Sequence, residues 1–144
     1  MKDVLLIADL HGQFGKIDSF LELNPEAVFI AGDITNMGPV DTVDDVLTAA
    51  MKKMEKTVHN ILLCHAPPYE TLDKPAGEHV GSQSIRRHMK SFDLVCCAHI
   101  HEARGVMDVD GVRIVNPGPA MDGHCAMLHF GNEARDIKVE LLTV

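Results

Sequence analysis

Six residues of the kind that hold divalent cations stand at or just beyond the ends of short apolar runs. Val4–Ala8 runs into Asp9, Val28–Ala31 into Gly32-Asp33, Ile61–Cys64 into His65, and Leu94–Ala98 into His99. Two of these stops carry a second ligand type two positions on, giving Asp9-Leu10-His11 and His99-Ile100-His101. Carboxylates and imidazoles together suit hard-to-borderline metals such as Mn, Fe, Co, Ni or Zn. A lone Asp after a strand is ordinarily a turn former or helix cap. Recurrence at four strand ends is what points to one centre built from Asp9, His11, Asp33, His65, His99 and His101.

The elements that must position this set follow from the same runs. Aliphatic stretches without polar alternation read as strands buried on both faces, and α/β sheets collect ligands beyond the carboxyl ends of such strands. Ile17, Phe20 and Leu21 recur at helical spacing, and Asn24-Pro25 ends that helix before the second strand. A second helix carries the stripe Val43, Val46, Leu47, Ala50, Met51 and Met54, with Asp41 as N-cap and Lys52, Lys53 and Lys56 at its end. Two strand–helix–strand units of this kind predict right-handed crossovers in a mainly parallel sheet. Pro67 to Gly81 reads as a surface loop over the strand ends, after which Ser82 or Ser84 can cap a short helix with Ile85, His88 and Met89. Ala103–Val109, Asp110-Gly111 and Val112–Val115 predict a hairpin with a type I′ turn. Strands near Cys125–Phe130 and Asp136–Leu142 close the domain around Gly131-Asn132.

The chain has 144 residues, 46% hydrophobic and 24% charged, which predicts a single domain over residues 1–144 with a core of its own. No apolar run reaches the length of a membrane span, and the expectation is a soluble cytoplasmic protein with no membrane partner. A net charge of −8 argues against broad nucleic-acid binding. Cys64, Cys96, Cys97 and Cys125 lie in strand-like sequence without Cys-x-x-Cys spacing and read as reduced core residues.

These blocks resemble the calcineurin-like metallophosphoesterases, whose pattern runs D-x-H, G-D, G-N-H-[D/E], H and G-H-x-H. Asp9-Leu10-His11-Gly12 matches the first block and Gly32-Asp33 the second. Cys64-His65-Ala66-Pro67-Pro68 matches the fourth, and Ala98-His99-Ile100-His101 the last. Asn116-Pro117-Gly118 is similar to the loop that follows the last block. The resemblance, to the small prokaryotic branch, implies a compact αββα sandwich with parallel N-terminal and antiparallel C-terminal strands. It implies Asp9, His11 and His101 on one metal, His65 and His99 on a second, and Asp33 bridging both. Up to two ions of Mn, Fe, Ni or Zn are expected, with Asp33 and His65 catalytic and a phosphorylated small molecule as substrate. A shared anionic ligand lets two cations clamp both oxygens of an in-line displacement at phosphorus.

The sequence departs from the family in one block. Between Asp33 and His65 there is no Gly-Asn-His, and a single predicted helix fills the interval, as if an internal segment had been lost near Ala49 to Lys53. Ala98 also replaces the usual Gly. In relatives the missing His protonates the leaving group or stabilises the transition state, and loss of a general acid or base costs about 10² to 10⁴ in rate. Asn36 is a substitute ligand candidate, though its segment is also plain turn chemistry. His59-Asn60 is expected at the far end of the sheet and structural, and Asn116 to hold the Pro-Gly loop. His79, in Gly77-Glu78-His79-Val80-Gly81-Ser82, resembles a loop near the site in relatives and is a candidate for substrate contact. His88, His124 and His129 read as helix-face or strand-face residues, and Arg86 and Arg87 as solvated.

The main expectation is therefore a metal-dependent hydrolase of phosphomonoesters or phosphodiesters, with good leaving groups favoured because no acid is evident. The alternative is a noncatalytic metal-binding interaction module of the same fold, with the retromer subunit as precedent by resemblance. Metallo-β-lactamase-like hydrolases need H-x-H-x-D-H, and Ala103-Arg104 after His101 excludes them. Loss of a segment should uncover sheet surface or an edge, which predicts a homodimer or larger homo-oligomer.

Overall fold

The computed structural model describes residues 3–9, 11, 16, 19–20, 22–25, 27–32 and 58–144. Among the described residues, eight strands form two four-stranded sheets. The first has the order β2-β1-β7-β8, from β1 (Asp3–Ile7), β2 (Ala27–Ile30), β7 (His124–Phe130) and β8 (Ile137–Thr143). The second has the order β3-β4-β6-β5, from β3 (Ile61–Leu63), β4 (Leu94–Cys96), β5 (Gly105–Val109) and β6 (Val112–Asn116). Pairing is parallel for β1 with β2, β3 with β4 and β4 with β6, and antiparallel for β1 with β7, β7 with β8 and β5 with β6.

The β1 and β4 runs bury both faces because they lie inside a layered stack. The same expectation for the β2 and β3 runs is corrected, since both strands lie at sheet edges and Val28 and Leu63 are 39% and 43% exposed. Val4, Leu6 and Ala8 of the β1 run meet Leu94, Cys96 and Ala98 of the β4 run in the core between the sheets. Alternate residues Leu5 and Ile7 pack outward under Phe20 and Leu23, and Val95 and Cys97 pack outward under Met89 and Phe92. Full burial of each such aliphatic side chain stabilises the fold by about 1.5–3 kcal/mol. The outer covers are local: α1 (Gln83–His88) and the following short turn Met89–Ser91 supply Ile85, Met89 and Phe92. Ser82, not Ser84, caps α1, its side chain accepting from the Ile85 N–H.

The β5–β6 hairpin turns on Asp110 and Gly111, both at positive φ (53° and 80°), the type I′ signature expected of that dipeptide. The hairpin starts at Gly105, because His101–Ala103 forms a 3₁₀ turn in place of the first strand residues expected there. The expectation of one mainly parallel sheet through the third strand is corrected: β1 and β2 share a sheet, but β3 joins the other. A run apolar on both faces carries no alternation to say which sheet receives it. The predicted helix over residues 43–54 and the Ala49 to Lys53 junction lie outside the described residues. Among the described residues no helix is long and apolar enough to cross a membrane.

Candidate metal centre

The carboxyl ends of β1, β3 and β4 come together at one rim, and with them the residues singled out by the sequence. Asp9 is 1% exposed, and its Oδ2 accepts the His99 backbone N–H at 3.3 Å. Its Oδ1 is buried and has no hydrogen-bond partner among the described residues. Around that oxygen lie His101 Nε2 at 3.7 Å, His65 Nε2 at 3.8 Å and His11 Nε2 at 4.0 Å. These separations exceed hydrogen-bond length and are on the order of twice a metal–ligand bond of ~2.1 Å. Asp9, His11 and His101 also form a group whose ligand atoms all lie within 4.8 Å of one another.

The second pair is aimed by the backbone. His65 Nδ1 lies 3.1 Å from the Ala31 carbonyl, which can only accept, so Nδ1 carries the hydrogen and, in the neutral ring, Nε2 keeps the lone pair that a ligand needs. His65 Nε2 and His99 Nδ1 approach to 3.1 Å. Two nitrogens bound to one cation at ~2.1 Å stand at about this spacing. The close approach of His65 to β2 requires Gly32: a Cβ there would lie 2.6 Å from His65 Nδ1, and φ is +78°. Backbone conformation marks the same rim, with Asp9, His11 and His99 at φ 52°, 48° and 70°. Left-handed conformation outside glycine is uncommon, though Asp and His tolerate it better than most, and it collects at functional sites.

Asp33 and Asn36 lie outside the described residues. The structure brings together the other five expected ligands and does not bring His59 to them. His59 sits against the β7–β8 turn, with Nδ1 3.1 Å from the Ala134 carbonyl and Nε2 2.9 Å from that of Gly131. Asn116, 1% exposed, donates to the Ile100 carbonyl at 2.8 Å and accepts from the Gly118 N–H at 3.0 Å. It ties the Pro-Gly loop to the peptide between His99 and His101, a positioning role that its place after the hairpin only half announces. His79 meets Asp73 in the Pro67–Gly81 loop, with Nδ1 2.5 Å from Oδ1. Arg86 reaches the hairpin turn at Asp110 (3.0 Å), and His129 pairs with Asp3 (2.7 Å).

All four cysteines are free. Burial pushes the Cys64 thiol up to about 12 and also raises those of Cys96 and Cys97. They are apolar filling behind the rim and hold their protons at neutral pH.

No protein-family model matches the chain. It is similar to an uncharacterized protein, MJ1162, of Methanocaldococcus jannaschii, with 33% identity over 90 residues. That match covers 56% of this chain and spans 41% of the length of the relative. Among solved structures, a novel archaeal phosphodiesterase aligns over 97% of this chain and 99% of its own, with 19% identity and TM-score 0.60. TT1561 of Thermus thermophilus aligns over 96% and 98%, with 12% identity and TM-score 0.68. Vps29 of Entamoeba histolytica, solved with zinc, aligns over 98% of both chains, with 14% identity and TM-score 0.50. At these identities what is shared is the fold. The chain has the small calcineurin-like metallophosphoesterase fold.

Proposed function

We propose that this chain is a metal-dependent phosphoesterase acting on phosphomonoesters or phosphodiesters. The observation that carries the reading is Asp9 Oδ1, a buried carboxylate oxygen without a hydrogen-bond partner among the described residues, ringed by three imidazole nitrogens at 3.7–4.0 Å. A buried polar group left unsatisfied costs about 1–3 kcal/mol, and a cation is the partner this donor set fits. Asp9, His11 and His101 would hold one ion, His65 and His99 a second, with Asp33 shared between them. Mn, Fe, Ni and Zn all suit this mixture of imidazole and carboxylate. Cations there supply Lewis acidity toward a phosphoryl oxygen and acidify water for attack at phosphorus. The chain's own residues fix where that happens. Ala31 and Gly32 seat His65, Asn116 steadies the backbone of His99 and His101, and His79 is the candidate for substrate contact.

The fold neighbours support hydrolysis without naming a substrate, and the missing Gly-Asn-His block together with the Vps29 neighbour favours a second reading, a noncatalytic metal-binding module. Elemental analysis of the purified protein, coupled to an aryl-phosphodiester assay with added manganese, separates them. Bound metal with turnover supports the enzyme, and bound metal with no turnover supports the module. Asp33→Asn should lose metal; full occupancy and undiminished turnover in that variant would defeat the centre. Cytoplasmic residence and self-association belong to the same reading. Leu63 on edge strand β3 is 43% exposed, and a concentration-independent monomer in light scattering would count against an oligomer.

A further inference from the structure

The loop between β3 and α1 holds a carboxylate–imidazole couple. Asp73 is fully buried and accepts the backbone N–H groups of Glu70 (3.1 Å), Thr71 (3.1 Å) and Gly81 (2.9 Å), with His79 Nδ1 at 2.5 Å as the fourth partner. Burial alone would raise this carboxyl, but the bonds from His79, Gly81 and Glu70 hold it below the usual range. An ionised Asp73 only accepts, so the hydrogen between the two groups sits on His79 Nδ1. Nε2 is then the nitrogen that gains and loses a proton, the arrangement by which a carboxylate orients an imidazole for proton transfer. The His79 side chain is 26% exposed, and among the described residues Tyr69, at 5.5 Å between ring centroids, is a second titratable group set against it, with Glu78 adjacent in sequence.

The two ends of this loop are tied to each other. Ser82 N–H donates to Pro67 O (2.8 Å) and Tyr69 N–H to Ser82 O (3.1 Å), and a Cβ on Gly81 would fall 2.7–2.8 Å from the Pro67 and Pro68 carbonyls. The segment carrying His79 is thus pinned beside Pro67, two residues after His65. Leu72 lies 3.5 Å from where Gly105 would carry a Cβ, just beyond the His101–Ala103 turn.

We propose that His79, positioned by Asp73, is the general acid of this centre, in place of the absent Gly-Asn-His histidine. Water attacks phosphorus and gives its proton to solvent. As the P–O bond to the departing alcohol breaks, the Nε2 proton passes to that oxygen, leaving a neutral ring that regains a proton from solvent. The substrate class then extends from aryl esters to alkyl phosphoesters, whose alkoxides leave poorly without a proton. This role deepens the hydrolytic reading and rests on it.

The test compares two methyl phosphodiesters on the manganese-loaded protein, one losing p-nitrophenol and one losing an alkyl alcohol. His79→Gln should lower the alkyl-to-aryl turnover ratio by about 10²- to 10⁴-fold, the usual worth of a general acid. It should also remove the alkaline limb of the alkyl pH profile. A ratio cancels any loss of folded protein, and an unchanged ratio overturns the proposal. Absence of aryl turnover in the unaltered protein overturns the hydrolytic reading and this role with it. Imidazole NMR of the metal-free protein is independent of turnover: a neutral His79 should carry its hydrogen on Nδ1, Asp73→Asn should abolish that preference, and an Nε2–H tautomer in the unaltered protein overturns the couple.

Discussion

Asp9→Asn should make the metal-free protein more stable while removing its capacity to be stabilised by metal. The amide keeps the shape of the carboxylate, and its carbonyl can retain the Oδ2 bond from His99 N–H. Its NH₂ then replaces an anionic oxygen that has no hydrogen-bond partner among the described residues, and Asn tolerates the left-handed φ of 52° that this position requires. Relief of one unsatisfied buried acceptor is worth about 1–3 kcal/mol. With an unfolding entropy near 2.1 cal/mol/K per residue, a domain of this length shifts by roughly 3 °C per kcal/mol, so the metal-free variant should melt about 3–10 °C higher. At a metal concentration 100 times Kd the unaltered protein should gain about 2.7 kcal/mol, and Asp9→Asn close to none. Thermal unfolding at pH 8, in chelator and again with manganese, reads both quantities. A variant that melts lower in chelator, or one that keeps the full metal-induced shift, would falsify the assignment of Oδ1 to a cation.

Gly32→Ala should displace His65, since its Cβ would lie 2.6–2.8 Å from that ring at a φ of +78°. Metal affinity measured by calorimetry should fall at least tenfold with a lower melting temperature, and unchanged affinity would show that His65 is not held by this contact. Asp73 should contribute to acid sensitivity: its folded carboxyl lies below the ordinary value, so its stabilisation is complete above about pH 4 and is lost as pH falls through the depressed value. Asp73→Asn, followed by circular dichroism under denaturant from pH 6 to pH 2, should lack that acid component. The buried thiols should resist alkylation at pH 8 and react only on unfolding. Rapid modification of Cys96 or Cys97, both fully buried, in the native protein would show that the β4 strand opens.

The sequence alone specified the strands as apolar runs, the ligand-bearing residues at their carboxyl ends, the Asp110-Gly111 turn and the helix start at Ser82 or Ser84. Each of these is a local matter: aliphatic residues without alternation, residues that accept positive φ, a hydroxyl three residues before an N–H that needs an acceptor. Tertiary structure decided which sheet β3 enters, because an all-aliphatic run carries no polar alternation to choose for it. It also decided that Leu6 pairs with Ala126 and that His65 rests on Gly32 and Ala31. The couple of Asp73 with His79 and the tie from Asn116 to Ile100 were settled there too, since each is a contact between polar atoms whose partners come from the packing of separate segments. Residue types fix what a side chain can bind, and only the closed sandwich fixes which atoms are within reach.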